Sequence, residues 1–314
     1  MKEYVIDEEF SHSRVDRFCK KVLQDVPGSA IQKMIRVGKI KLNGKKTKPD
    51  VRLTEGDTVT FYTDIVQKTP LNIDHNLKII YEDDLILAVS KPAGLLSHPD
   101  GKKAISLSEK IEVYLGSGSQ KETIFIPGIV TRLDYNTSGI VIAAKTPKAA
   151  REINELSRLK RIEKKYLALV AGVFEKKHRF VNSFIKDKNE NKVILNDARM
   201  ERGEMESIFY PVKQGRDCSL ICAEIVSGKS HQIRAQLALR NSPILGDLKY
   251  GSSVSKKISS EYGLKRQFLH CCYVKIPHLS GDILISCDLE DDLKEVLNYI
   301  GINFNFEEFV RDFI

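Results

Sequence analysis

The stretch PGIVTRLDYNTSGIVIAAKT, residues 127–146, decides how the rest of the chain is read. Its second half contains an unbroken apolar run, 139–144, and a first run, 124–130, lies just ahead; short apolar runs of this kind bounded by turn residues read as buried strands. Between the two stand Arg132, Leu133 and Asp134, and Asn136, Thr137, Ser138 and Gly139 make the return. Asp134 therefore sits in a loop held between two strands. Taken alone, an aspartate there is an Asx-turn cap.

The segments on either side change that weighting. Upstream, IIYEDDLILAVSKPAGLLSHP (79–99) places an apolar strand at 85–89, stopped by Lys91, Pro92, Ala93 and Gly94. Downstream, RLKRIEKKYLALVAG (158–172) sets a basic cluster before a buried strand, 166–173, with Tyr166 at its mouth. EIVSGKSHQIRAQLA (224–238) then leads from a strand, 219–226, into a helix, and PILGDLKYG (243–251) follows. A last helix is expected over Leu293–Ile300.

The N-terminal part has a different character. The 314 residues carry a net charge of +8, but between Arg14 and Arg52 twelve Lys and Arg face three acids, a local balance of +9, so the other residues sum to −1. Charge concentrated in one short module is the footprint of a nucleic-acid-binding unit. SRVD (13–16) has the form of a capping box opening a helix with Val15, Phe18, Cys19, Val22 and Leu23 on one face, and SAIQ (29–32) repeats it before Ile31, Met34 and Ile35. Gly38 stands where a left-handed C-cap is wanted. Lys39 to Leu42 alternate charged and apolar, Asn43-Gly44 supplies a hairpin turn, and Val51, Leu53, Val59 and Phe61 continue the strand pattern.

Composition sets outer limits. With 42% hydrophobic and 29% charged residues the chain is a globular protein. Its longest apolar stretch, Tyr166–Phe174, falls short of the ~20 residues a membrane helix needs. The start, MKEYVIDEEF, lacks the apolar region of a signal peptide, so the cytoplasm is the expected location. Six cysteines, at 19, 218, 222, 271, 272 and 287, form no CxxC pair and read as reduced, buried thiols; no metal is expected.

Two resemblances join these observations. Residues 13–62, through VDRFCKKVL, SAIQKMIRVGKIKLNG and GDTVTFY, resemble the S4 RNA-binding domain, which implies a small α-L fold gripping the phosphates of structured RNA. Its candidate contacts are Arg14, Arg17, Lys20, Lys33, Arg36, Lys39, Lys41, Lys45 and Lys46. From about 80 to 275 the motifs KPAGLLSHP, RLDYNTSG, KKY with ALVAG, SHQIR, PILGDLKYG and LHCCYV, in that order, resemble the RluA family of RNA pseudouridine synthases.

The second resemblance implies that Asp134 is the nucleophile, attacking either C1′ of the ribose or C6 of the base, that Arg234 is its positive partner, and that Tyr166 stacks on the base and takes the C5 proton if it acts as a base. Arg132 would fill the space of an extruded nucleotide or clamp a phosphate, His231 and Gln232 would orient Arg234, and Lys164 would brace the site or meet a phosphate. Two positions depart from the family pattern, which has His at Thr131 and at Gln236.

The resulting expectation is an α+β protein: an S4 (α-L) domain over 1–62, a linker over 63–77, and a catalytic domain over 78–314 on a mixed, largely antiparallel sheet. No cofactor, nucleotide or membrane is called for, and a monomer is expected. The expected substrate is large-subunit ribosomal RNA or its assembly precursor, since an S4 module in front and the KDKNENKV stretch (186–193) resemble the ribosomal RluC branch; transfer RNA is the alternative. AEIVSGKS (223–230) satisfies a relaxed P-loop pattern, but an unbroken strand to Val226 leaves only Ser227 and Gly228 to turn, so an NTPase is disfavoured. A non-catalytic RNA-binding factor is disfavoured by the intact Asp134, Tyr166 and Arg234.

Overall fold

The computed structural model describes residues 1–23, 26, 28–62, 76–100, 105–116, 128–187, 192–196, 204–277 and 281–313. The N-terminal unit is a four-stranded antiparallel sheet in the order β1 (Lys2–Val5), β4 (Thr58–Phe61), β2 (Ile40–Leu42), β3 (Lys45–Lys46), packed against α1 (Val15–Val22) and α2 (Gly28–Val37). Phe18, Ile31, Ile35, Ile40, Leu53, Val59 and Phe61 form its core. Asn43 and Gly44 have φ of 49° and 72°, the paired positive values that a two-residue hairpin turn requires. Gly38, at φ 82°, ends α2, with the Lys39 amide donating to the Met34 carbonyl at 2.9 Å.

Three details differ from the sequence expectation. Ser13 does not cap α1: the Val15 and Asp16 amides donate to the Val51 and Pro49 carbonyls at 2.9 Å, so backbone takes the place of a cap, and the Asp16 carboxylate instead takes the Arg14 guanidinium. Ser29 lies inside the first turn of α2 rather than before it. Val51 and Leu53 form no strand, because the loop they occupy is bonded to the start of α1 and to residues 12 and 13. Their place in the sheet is taken by β1, pairing Lys2 with Phe61 and Val5 with Thr58.

The expected linker lies outside the described residues, except for its last two positions. Beyond it an eleven-stranded sheet runs in the order β11 (Lys192–Asn196), β10 (His178–Asp187), β12 (Glu204–Gln214), β13 (Cys218–Ile225), β9 (Glu163–Ala171), β14 (Leu269–Ile276), β8 (Ser138–Ala144), β6 (Ile86–Lys91), β5 (Lys78–Glu82), with β15 (Ile283–Ser286) on β14 and β7 (Gly128–Ile129) on β8. Every pairing is antiparallel except β14 with β8, so the sheet is mixed and largely antiparallel as expected. Of the strand expected at 124–130, residues 124–127 are outside the described residues.

Helices α3 (Leu107–Gly116), α4 (Pro147–Arg158), α5 (Gln232–Leu239), α6 (Ser253–Glu261), α7 (Asp291–Tyr299) and α8 (Phe306–Phe313) complete the chain. The C-terminal pair packs Leu293, Val296, Leu297 and Phe309 into the main core. Among the described residues no helix is long and apolar enough to cross a membrane. All six cysteines are free and buried.

The parallel seam between β8 and β14 dictates residue choice. Gly139, at φ 113°, faces Cys271, and a Cβ there would lie 2.2 Å from the Cys271 carbonyl oxygen, so only glycine permits the approach. Beside it the buried Ser138 hydroxyl bonds His270 Nδ1 at 2.9 Å and accepts from Arg266 Nη1 at 3.2 Å, while His270 Nε2 is 3.1 Å from the Cys287 carbonyl. A carbonyl can only accept, so Nε2 carries the hydrogen and Nδ1 accepts from Ser138, which fits a neutral ring.

Burial pushes His270 down to about 4. Above about pH 6.5 the ring is neutral whether folded or unfolded; between about 6.5 and 4 only the unfolded chain takes up the proton, so stability falls as pH falls through that window. Wild type should lose on the order of 2–3 kcal/mol of unfolding free energy from this group between pH 6.5 and 4. Urea titrations of wild type and His270→Gln check this: the variant's stability should depend less on pH across that window.

Candidate active site

Asp134 follows Leu133, whose backbone is bracketed by one side chain: the Ser97 hydroxyl donates to the Leu133 carbonyl at 2.7 Å and accepts from its amide at 3.2 Å. On the other side of Asp134, the Tyr135 carbonyl accepts from Lys91 Nζ at 3.1 Å and from the Gly94 amide at 2.9 Å. Lys91 is fully buried, its ammonium also held by the Pro92 and Leu95 carbonyls at 2.8 Å, and burial pushes it down to about 8. The KPAGLLSHP segment thus acts as a buckle around the Asp134 loop. The sequence showed there the end of a strand and a family motif, but not its hold on the Asp134 loop.

Arg234 comes from α5 on the opposite side. Its Nη1 donates to Asp134 Oδ2 at 2.8 Å, while Nε and Nη2 donate to the two carboxylate oxygens of Asp247 at 2.7 and 3.0 Å. Asp247 is buried and also accepts from the Lys249 and Tyr250 amides. Burial alone would lower the Arg234 guanidinium, but the hydrogen bonds and charge of Asp247, with Asp134 adding, hold it above its ordinary value. Burial likewise would raise Asp247, and Arg234 overrides it and holds the carboxyl down. A guanidinium fixed bidentately by one carboxylate has a single orientation left for the other.

Gln232 fixes the helix itself. Its amide nitrogen donates to the Glu206 carbonyl and the Ser207 hydroxyl at 2.8 Å, and its Oε1 accepts from the Lys229 amide at 2.9 Å. That last bond engages an amide a nucleotide phosphate would need, a further mark against the P-loop reading. One turn on, Gln236 donates to the Met205 carbonyl and Asn182 Oδ1, both at 3.1 Å. Thr131, the other departure, accepts from the Ile142 amide at 2.8 Å. Both departures hold backbone.

His231 has φ 55° and meets Tyr250. The Tyr250 hydroxyl accepts from the Val193 amide at 2.8 Å and lies 3.0 Å from His231 Nδ1. On the other side of the ring, His231 Nε2 lies 3.9 Å from Asp134 Oδ2. Burial lowers His231, with Asp134 partly opposing, so the ring beside the carboxylate is neutral near pH 7.

Asp134, Tyr166, Arg132, Leu133, Ile225 and Lys229 line both of two cavities, one of about 60 Å³ reaching His231, Gln232 and Arg234, the other of about 270 Å³ reaching Lys164, Gly228 and Ser230. Tyr166 is 6% exposed. Burial pushes its phenol well above the ordinary value, with Cys271 and the charge of Asp134 adding, and the ring stands at the cavity wall. Arg132 is exposed at the mouth. The structure therefore brings together all seven expected site residues of the larger domain. Asp247, Tyr250, Lys91 and Ser97, which the sequence presented only as motif letters, build its support.

Of the basic residues of the N-terminal unit, Arg17, Lys20, Lys33, Arg36, Lys39, Lys45 and Lys46 are exposed, Lys41 lies 4.7 Å over the Tyr62 ring, and Arg14 is paired with Asp16.

Comparison with known proteins agrees with this construction. Residues 85–239 match the RNA pseudouridylate synthase family and residues 13–59 the S4 domain. An uncharacterized RNA pseudouridine synthase of Mycoplasma genitalium is 33% identical, covering 88% of this chain and 90% of the relative. Ribosomal large subunit pseudouridine synthase C of Vibrio parahaemolyticus is 30% identical, covering 93% and 94%. The structure of human RNA Pseudouridylate Synthase Domain Containing 4 superposes with a TM-score of 0.59 at 19% identity, over 72% of this chain and 94% of that one, a likeness of fold. The chain belongs to the RNA pseudouridylate synthase family, with an S4 domain ahead of the catalytic domain, and is an isomerase that converts uridine in RNA to pseudouridine.

Because the Tyr250 hydroxyl bonds His231 Nδ1 and so holds the ring beside Asp134, Tyr250→Phe should lower single-turnover pseudouridine formation about five- to tenfold, with RNA affinity nearly unchanged, as expected for removal of one hydrogen bond of ~1 kcal/mol. Rapid-quench measurement at saturating RNA checks it.

Proposed function

We propose that Asp134 is the nucleophile of the reaction and that the substrate is large-subunit ribosomal RNA. The observation that carries the first part is the 2.8 Å hydrogen bond from Arg234, itself locked by Asp247, which aims the Asp134 carboxylate into a partly closed cavity. The reaction breaks the N1–C1′ bond, turns the base and forms C5–C1′; the C5 hydrogen leaves as a proton and N1 gains one, so neither oxidant nor energy input is required. A carboxylate serves because it can form an ester-like adduct, at C1′ or at C6, and then leave.

In this reading Tyr166 stacks on the uracil. Arg132, at the mouth, compensates the unstacking of the extruded nucleotide, which costs a few kcal/mol. His231 and Gln232 hold the local geometry of Arg234 and the carboxylate. The ribosomal substrate is supported by the relatives named for the large subunit and by the exposed basic face of the S4 domain. We place the domain boundary within 63–77, with the protein acting as a monomer in the cytoplasm.

Asp134→Asn is nearly isosteric and a poor nucleophile. It should abolish tritium release from 5-tritiated uridine RNA while leaving RNA affinity within about a few-fold, since loss of covalent catalysis removes several kcal/mol of barrier stabilisation. Turnover above about a hundredth of wild type would exclude Asp134 as nucleophile.

The S4 residues have a separate readout. Replacing Lys39, Lys41, Lys45 and Lys46 with Gln should weaken RNA binding and flatten its salt dependence by up to about 0.9 in log-log slope for each duplex phosphate no longer neutralised. The single-turnover rate at saturating RNA should barely move, because these lysines act equally in ground and transition states. Filter-binding titrations at several salt concentrations, with rates alongside, measure both.

A further inference from the structure

The larger of the two cavities shares Asp134 and Tyr166 with the smaller one but extends along a wall that Arg234 does not line. Its wall carries three cationic side chains, Arg132, Lys164 and Lys229, together with the hydroxyl residues Thr131, Ser157 and Ser230. Among the described residues the only acid on that wall is Asp134, whose charge is already taken by Arg234. Among the described residues Lys164 has no hydrogen-bond or ion-pair partner, although neighbouring Lys165 is paired with Glu163 at 3.0 Å. Burial lowers the Lys164 ammonium. Its Nζ lies beside the backbone of Gly228, 3.6 Å from where a Cβ there would stand.

A half-buried ammonium without a partner is incompletely solvated, which costs free energy. Its cost is offset when an anion enters. An RNA strand that delivers a uridine to Tyr166 and Asp134 in the smaller cavity must pass its backbone close by, since the two cavities share Arg132, Leu133, Asp134, Tyr166, Ile225 and Lys229.

We propose that the larger cavity is a phosphate subsite, in which Lys164 and Lys229, with Ser230 beside them, bind the phosphodiester adjoining the target uridine. Arg132 adds a third positive charge at its mouth. The subsite acts on one backbone linkage and carries no base information. It separates the chain's basic groups into two roles: the S4 face holds the RNA at a distance, and the subsite sets the position of the sugar that Asp134 must meet. The inference rests on the reading that the target uridine occupies the cavity of Asp134 and Tyr166.

The test uses the full chain and a large-subunit ribosomal RNA fragment in which wild type forms pseudouridine, synthesised also with a single uncharged methylphosphonate at the linkage 5′ or 3′ of the target uridine. For wild type, one of the two neutral linkages should lower kcat/KM about tenfold or more, the scale of one charge-assisted hydrogen bond removed. Lys164→Met should lower kcat/KM on the native RNA by a similar factor, and the same neutral linkage should then cost it less than about threefold further.

Lys164→Arg, which keeps the charge, should recover part of the loss. The melting temperature of Lys164→Met should be no lower than that of wild type, which a bracing role for Lys164 does not predict. Lys229→Gln, an exposed change, gives the same cycle without touching the core. If either variant keeps wild-type kcat/KM, or remains as sensitive as wild type to both neutral linkages, the subsite is overturned. If wild type forms no pseudouridine in large-subunit RNA at all, the substrate reading fails instead. If Asp134→Asn retains turnover, it is the site reading that fails.

Discussion

One guanidinium holds the active site in shape. Arg234 commits two of its donors to Asp247 and a third to Asp134, so three residues from three segments, 134, 234 and 247, share a single rigid plane. A lysine could supply the charge but not the direction, because an ammonium on a flexible stem makes no bidentate lock. Removing Asp247 would leave Arg234 a buried cation with one partner and many rotamers, and breaking one side of a buried pair costs more than the pair contributes. The other supports serve this plane: Gln232 and Gln236 staple α5 to β12, while Ser97 and Lys91 pin the backbone on either side of Asp134.

The surrounding polar groups are arranged so that each buried one is neutral or paired, with few exceptions. His270 is neutral between Ser138 and a carbonyl, and Arg266 is answered by Glu290 and Asp292 at 2.7 Å. Lys91 is held by three carbonyls, with no carboxylate hydrogen-bonded to it among the described residues. Against that background the bare ammonium of Lys164 stands out, as does the carbonyl oxygen of Gln236, a buried acceptor without a partner among the described residues.

Much of this is legible in the sequence, and the reasons are local. The Asn43-Gly44 turn, the Gly38 cap and the apolar runs of β6, β8, β9 and β13 follow from near-neighbour pattern, and the ordered motifs locate Asp134, Tyr166 and Arg234 without reference to any fold. Non-local pairings are not legible. β1 is four residues with no turn signal beside it, and its partner β4 lies more than fifty residues away. The caps of α1 are carbonyls of a distant loop, so the serine that looks like a cap is not needed. Asp247 reads as a loop acid until the fold sets it against Arg234. Tyr166 keeps its place, but the burial that raises its phenol is not something its neighbours in sequence show.

The parallel seam between β8 and β14 has a kinetic meaning. Ser138 and His270 are 132 positions apart, and the β10–β13 hairpins on one side and the β5–β6 hairpin on the other are joined by much shorter connections. Loop-closure entropy and contact order make such a long-range parallel join slower to form than hairpins. Asp134 belongs to the β8 side, whereas Tyr166 and Arg234 belong to the β9 and β13 side. Asp134 and its partners are therefore brought together only when the seam closes, and by contact order that join is among the slower ones to form. A chain caught short of that closure would have nearly all its secondary structure, its RNA-gripping S4 domain and no enzyme.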